Sequence, residues 1–171
     1  SNFFSKRSIT ASIRNKLMMD WSDENIFLEN RVKRENLRQL EKRSHIVYYF
    51  HSLTDPYSYL TSQVLENFIN KYNIELKILF VSDPNNVFTP ERKMFDDYCL
   101  RDAAELAKYH GLKFENAVQI SKSNILSAYK ILNYYYFHKK ISQIEFIKLL
   151  KEISSYLWSN QTNKLNQIIS N

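Results

Sequence analysis

The chain contains a single glycine, Gly111, and three prolines among its 171 residues. Tight turns and glycine-rich phosphate loops depend on glycine, so this sequence has almost no residues from which to build either. The composition therefore predicts a mostly helical chain. Because 44% of the residues are hydrophobic and 15% are aromatic, we expect one packed domain rather than a disordered chain or two full domains.

Residues that define common enzyme classes are scarce. Cys99 is the sole cysteine, which rules out an internal disulfide, a CxxC redox pair and a cysteine-rich zinc site, and its helical context predicts a buried, inert thiol. The four histidines form no HExxH motif, so no metal is expected. Apolar runs are too short to cross a membrane, and we expect a soluble, cytoplasmic protein with no membrane partner.

Residues 1–44 are interpreted as a basic, helical N-terminal arm. Residues 1–45 hold ten Lys or Arg against six Asp or Glu, so this quarter of the chain carries +4 of the total charge of +6. Within it, Glu29 to Arg43 has a thin apolar stripe, which is typical of a charged surface helix. Nucleic-acid binding through this arm and the aromatic run "NYYYFHKK" is the third hypothesis. Because acidic residues are interspersed among the basic ones, the arm is only weakly basic, and nucleic acid is not the expected partner.

Residues 45–88 predict a βαβ unit. The segment "HIVYYF" at 45–50 suits a central strand, and "IELKILFV" at 74–81 suits a second strand. Between them, Pro56 to Tyr72 has apolar residues at three- and four-residue intervals, as in an amphipathic helix. These residues are Leu60, Val64, Leu65, Phe68, Ile69 and Tyr72.

Residues 89–171 read as a helical domain. Thr89 and Pro90 are a good start for a helix that should end near Gly111, and two further helical stripes follow. Two strands followed only by helices leave sheet edges to be satisfied. We therefore expect either a homo-oligomer or a longer chain that supplies further strands.

The segment "FHSLTDPYSYL" places Asp55 where a strand ends and a helix begins at Pro56. The free N–H groups and the dipole of a helix N-terminus favour an anion, and redox proteins place a reactive thiolate there. Asp55 fits this position as an N-cap. The alternative is that its carboxylate acts as a general base or contacts a substrate.

The stretches "YYFHSLTDPYSYLTSQVLENF" and "PERKMFDDYCLRDAAELAKYHGLKF" resemble the DsbA-like thioredoxin-fold superfamily, in particular its branch of 2-hydroxychromene-2-carboxylate isomerases and kappa-class glutathione transferases. The likeness covers about His45 to Phe114. It implies an α/β, helix-rich fold in which a helical domain interrupts a thioredoxin-like βαβ unit. No counterpart of the last two strands or of the cis-proline loop follows, so the thioredoxin fold is expected to be incomplete.

The resemblance also implies site residues. Asp55 stands where the family has a serine that faces the glutathione sulfur, or the first cysteine of CxxC, and Ser58 stands at the second cysteine. Arg92 matches a lysine that helps to hold glutathione, and Asn86, or Asn85 beside it, matches an asparagine nearby. Together with Tyr57, Ser58 and Arg92, Asp55 would line a pocket for glutathione and a small thiol or aromatic substrate.

The departures from the family pattern bear on activity. Without CxxC, two-cysteine thiol–disulfide exchange is impossible. An aspartate facing the glutathione sulfur would repel the thiolate and raise its pKa. Two functions therefore stay open: a glutathione-linked isomerase or oxidoreductase relative whose usual thiol chemistry is lost, and a non-catalytic binding or assembly module on the same fold.

Overall fold

The structure is a computed structural model that describes residues 6–82, 91–114 and 120–169. The chain divides into two compact units, Ser1–His45 and Ile46–Asn171. Most of the described residues are helical, which confirms the prediction made from glycine content. In chain order the elements are α1 (Lys6–Ser22), α2 (Glu24–Leu40), β1 (His45–His51), α3 (Pro56–Lys71), β2 (Ile74–Phe80), α4 (Arg92–His110), α5 (Lys122–His138), α6 (Gln143–Trp158) and α7 (Asn163–Ile169).

The first unit contains α1 and α2, which contact each other. Asp23 separates the two helices and caps α2, because its Oδ1 accepts hydrogen bonds from the N–H groups of Asn25 at 2.8 Å and Ile26 at 3.3 Å. Near the end of α2, Arg38 donates to both carboxylate oxygens of Glu35, which lowers the pKa of Glu35 to about 2. None of the side chains of α2 is buried.

The second unit begins with the predicted strand, helix and strand. β1 and β2 form a two-stranded parallel sheet, and α3 connects them. The apolar stripe of α3 enters the core only in part. Leu60 and Leu65 are buried, whereas Val64, Phe68 and the residue after the helix, Tyr72, are 39–46% exposed.

The later helices begin and end at residues with clear local causes. The predicted start at Thr89 and Pro90 lies outside the described residues, and α4 begins at Arg92. Its end is confirmed at Gly111, whose φ of 64° lies in the left-handed region where glycine is unstrained. α6 begins with a capping box in which Ser142 and Glu145 each bind the other's backbone N–H.

The core lies between the sheet, α3, α5 and α6. The residues of α6 that are buried recur at three- and four-residue spacing, so one face of this helix is enclosed. They are Phe146, Ile147, Leu150, Ile153, Ser154, Leu157 and Trp158. From α3, Tyr59 stacks on Trp158 with the ring planes only 8° apart. A smaller cluster of Leu60, Ala103 and Ala107 joins α3 to α4.

The two edges of the sheet differ. On β2, the Leu76 N–H donates to the Gln143 side-chain oxygen at 2.7 Å, so α6 covers part of that edge. The sequence predicts that further strands satisfy the sheet edges; at Leu76 a side chain of α6 does so instead. β1 was predicted to be a central strand, but among the described residues β2 is its one strand neighbour.

Candidate functional site

Asp55 lies between the end of β1 and the first turn of α3. Its backbone is extended, and its Oδ2 accepts hydrogen bonds from Ser58 twice: from the backbone N–H at 2.8 Å and from Oγ at 2.6 Å. Pro56 occupies the first helical position, where its missing N–H costs nothing. The geometry is that of an N-cap, one of the two interpretations that the sequence allowed.

The Ser58 hydroxyl joins the helix to the strand end. It donates to Asp55 and accepts from the Ser52 N–H at 3.2 Å, and the Ser58 residue is buried. A hydroxyl has one proton to donate, and here that proton is directed at the Asp55 carboxylate. The pair predicted as catalytic is thus brought together, and the two side chains are engaged with each other.

Tyr57 projects from the same turn toward α4. Its hydroxyl donates to Asp102 Oδ2 at 2.6 Å, and burial together with this bond raises the pKa of Tyr57. Cys99 lies beside Tyr57 and is buried; burial raises the pKa of its thiol, with nearby carboxylates adding to the shift. A thiol with a raised pKa is a poor nucleophile, which agrees with the inert cysteine that the sequence predicts.

Arg92 is the first residue of α4, and its Nε donates to both carboxylate oxygens of Asp96, at 2.9 and 3.0 Å. Asp96 lies one helical turn further along α4, and its carboxylate partly neutralises the guanidinium group that was predicted to hold glutathione. Asn86 and Asn85, the remaining predicted contacts, lie outside the described residues. Asp55, Tyr57 and Ser58 therefore meet at one turn, with Arg92 bound to a carboxylate of its own helix.

Sequence reasoning did not single out a pair behind this turn, the half-buried Tyr49 and the buried His51. Tyr49 Oη lies 2.8 Å from His51 Nδ1 and 3.2 Å from the Ser58 carbonyl oxygen. His51 is fully buried, and burial lowers its pKa to about 4, so the ring is neutral at pH 7. His51 Nε2 has no hydrogen-bond partner among the described residues. The available signal was a histidine placed directly after the uncharged run of residues 46–50.

A groove of about 570 Å³ lies between β1 and α3 and is lined mainly by apolar side chains. It includes Tyr49 but none of Asp55, Tyr57, Ser58 and Arg92. The exposed part of the α3 stripe, which did not enter the core, forms one wall. The lining residues are Val47, Tyr48, Tyr49, Thr61, Val64, Leu65, Asn67, Phe68, Lys71, Tyr72 and Leu76.

In the described ranges, no group of three or more His, Cys, Asp or Glu side chains is arranged to hold a metal ion. No helix in those ranges has the length and apolar character needed to span a membrane.

Comparison of this chain with protein-family models, with curated proteins and with solved structures gave no significant match.

Proposed function

We propose that this chain is a relative of the DsbA-like thioredoxin-fold proteins that has lost thiol redox chemistry and works as a non-catalytic binding and assembly module. The observation that carries the proposal is the Asp55 carboxylate, whose Oδ2 accepts both the backbone N–H and the hydroxyl of Ser58. At the position where the related enzymes would present a thiol or a hydroxyl to substrate, this chain presents a capped helix.

The charges near this turn also argue against a glutathione site. A glutathione thiolate placed against Asp55 would meet a negative charge where the family offers a hydroxyl, and the thiolate would be disfavoured. Arg92, the cation that would attract the glutathione carboxylates, already binds Asp96. Tyr57 likewise donates its proton to Asp102. The polar groups of the turn thus bind one another within the chain.

The groove between β1 and α3 is the surface that best fits a binding role. Ligand and peptide sites are usually concave and mainly apolar, with a few polar groups at the margin. Here Val64, Phe68 and Tyr72 keep 39–46% of their surface exposed beside β1. Large apolar side chains that gather along one groove on a protein surface mark an interaction site more often than isolated ones do.

Calorimetric titration of glutathione tests the proposal, using the wild type, Asp55→Ser and Arg92→Ala. We expect no heat of binding with the wild type. Binding to Asp55→Ser alone would support the proposal, because it would mean that the aspartate has closed an inherited site. Binding to the wild type that Arg92→Ala abolishes would overturn it in favour of a glutathione-linked isomerase or oxidoreductase.

A further inference from the structure

In the part of the chain that the structure describes, the backbone of β1 has one edge without a strand neighbour. The His51 carbonyl accepts from the Val81 N–H at 2.9 Å, so the backbone groups of His51 point toward β2. Successive residues in a strand direct these groups to opposite edges. The N–H and C=O groups of Ile46, Tyr48 and Phe50 therefore point to the other edge, where no described strand lies.

The sequence of this edge strand carries none of the residues that usually keep strand edges from pairing. Natural edge strands are usually protected by a lysine, a proline, a bulge or a covering helix. Residues 46–50 of β1 read "IVYYF" and contain neither a charge nor a proline. Ile46, Tyr48 and Phe50 are 46%, 61% and 59% exposed. By contrast, Gln143 covers part of the edge of β2.

The three outward residues are arranged symmetrically, with Tyr48 at the midpoint of β1 and Ile46 and Phe50 two residues to either side. If two copies of β1 run antiparallel with Tyr48 opposite Tyr48, Ile46 of each copy lies opposite Phe50 of the other. All three residues then exchange N–H···O=C bonds in hydrogen-bonded pairs, six bonds in total by this pattern. The side-chain pairs are aromatic with aromatic and aromatic with β-branched, which are favourable across strands.

We propose that a second copy of this chain occupies the edge of β1, so that the two sheets join into one four-stranded sheet across a two-fold axis. The inference rests on the proposed assembly function and names its partner. The strand is uncharged between its terminal histidines. Although each chain carries a net charge of +6, no like charges would therefore face each other where the two strands meet.

The area available is of the right order for such a dimer. Six large side chains at the edge and groove are 39–61% exposed: Ile46, Tyr48, Phe50, Val64, Phe68 and Tyr72. At roughly 100 Å² of exposed surface each, they offer at most about 600 Å² per chain before the strand backbone is counted. A stable interface of standard size takes about 800 Å² from each partner. Val47 and Tyr49 line the groove. In the four-stranded sheet, the face on which they lie would continue into the same face of the second copy.

Sedimentation velocity of the whole chain tests the proposal, with Tyr48→Lys as the test variant. We expect a dimer for the wild type and a monomer for Tyr48→Lys, because two lysines would face each other at the axis. Tyr109→Lys is the matched control, since Tyr109 is 84% exposed on α4, and it should remain dimeric. Unchanged circular dichroism must accompany the loss of the dimer.

Cysteine cross-linking tests the register. In a Cys99→Ala background, Tyr48→Cys should form a disulfide on mild oxidation, because hydrogen-bonded antiparallel pairs have Cα atoms about 5.5 Å apart. Ile46→Cys alone should not cross-link, since the two Ile46 positions would lie about 13 Å apart along the strands. A mixture of the Ile46→Cys and Phe50→Cys chains should yield the mixed disulfide.

A monomeric wild type at concentrations of tens of micromolar would overturn the proposal, as would a dimer that Tyr48→Lys leaves intact. Cross-linking of Ile46→Cys to itself would overturn the register. These results do not depend on glutathione, so a failure of the dimer and a wild type that binds glutathione are distinguishable outcomes.

Discussion

At the scale of single residues, the Asp55 carboxylate has two competing interpretations, a structural helix cap and a catalytic or substrate-binding group. In many active sites a charged residue is held in an unfavourable setting, and its removal stabilises the protein. Asp55 is in the opposite situation, because its carboxylate accepts two hydrogen bonds at a helix N-terminus. Its stability effect therefore distinguishes a cap from a catalytic group.

We predict that Asp55→Ala lowers the free energy of unfolding by about 0.5–2 kcal/mol, the usual cost of losing an N-cap. Asp55→Asn, which keeps an acceptor oxygen, should recover most of the loss. Urea unfolding of the three proteins measures the difference. If Asp55→Ala were more stable than the wild type, the cap would not be the role of this residue.

His51 gives a prediction about pH. Its pKa in the folded chain is about 4, below the ordinary value of 6.5, because the ring is buried. Between these pH values the unfolded chain binds a proton at His51 that the folded chain excludes. The contribution of His51 to the free energy of unfolding is therefore complete above pH 6.5 and falls as the pH is lowered toward 4. The slope should approach about 1.4 kcal/mol per pH unit from this group alone.

Urea unfolding at pH values from 7 to 4 measures that slope, and His51→Phe is the control because the site is bordered by Phe80 and Tyr49. The variant should lose most of the pH dependence between 6.5 and 4.5. Glu35 and Glu145, whose pKa values are lowered by their hydrogen bonds, contribute at lower pH. An equal slope in both proteins would contradict the assignment to His51.

At the scale of elements, local patterns predicted most of what the structure contains. The β-branched and aromatic run of β1, the Asp–Pro start of α3 and the glycine after α4 each act through neighbouring residues, so they can be recognised in the sequence. Pairings between distant residues could not be: Tyr57 and Asp102 are 45 positions apart. Periodicity also does not tell which neighbour covers a face: Val64 and Phe68 share the apolar stripe of the buried Leu60 and Leu65, yet they line a groove.

The edge of β2 provides the prediction at this scale. Gln143→Leu removes the oxygen that accepts the Leu76 N–H and leaves this donor without its partner, which should cost about 1–3 kcal/mol. Gln143→Glu keeps an acceptor at the same place and should cost less. Thermal unfolding of the two variants compares them. Equal stability of Gln143→Leu and the wild type would mean that water replaces the lost acceptor.

At the scale of the whole molecule, the two units differ in how much they bury. α2 has no buried residue, whereas α6 has seven. A 17-residue helix without a buried face depends on caps and side-chain pairs, and such helices are marginal in water. The protection of backbone amides from exchange should therefore differ strongly between the two helices.

We predict that amide hydrogens of α2 exchange with solvent at least a hundred times faster than those of α6, because α2 can open locally while α6 opens only when the core does. Leu150→Ala supplies the control. Leu150 is fully buried, so the substitution should cost 2–5 kcal/mol by the usual range and speed exchange in α6. Exchange in α2 should not change, since its opening does not involve that core. Equal protection of α2 and α6 in the wild type would show that α2 is covered, and a partner bound along its exposed apolar side chains would then be the first explanation to test.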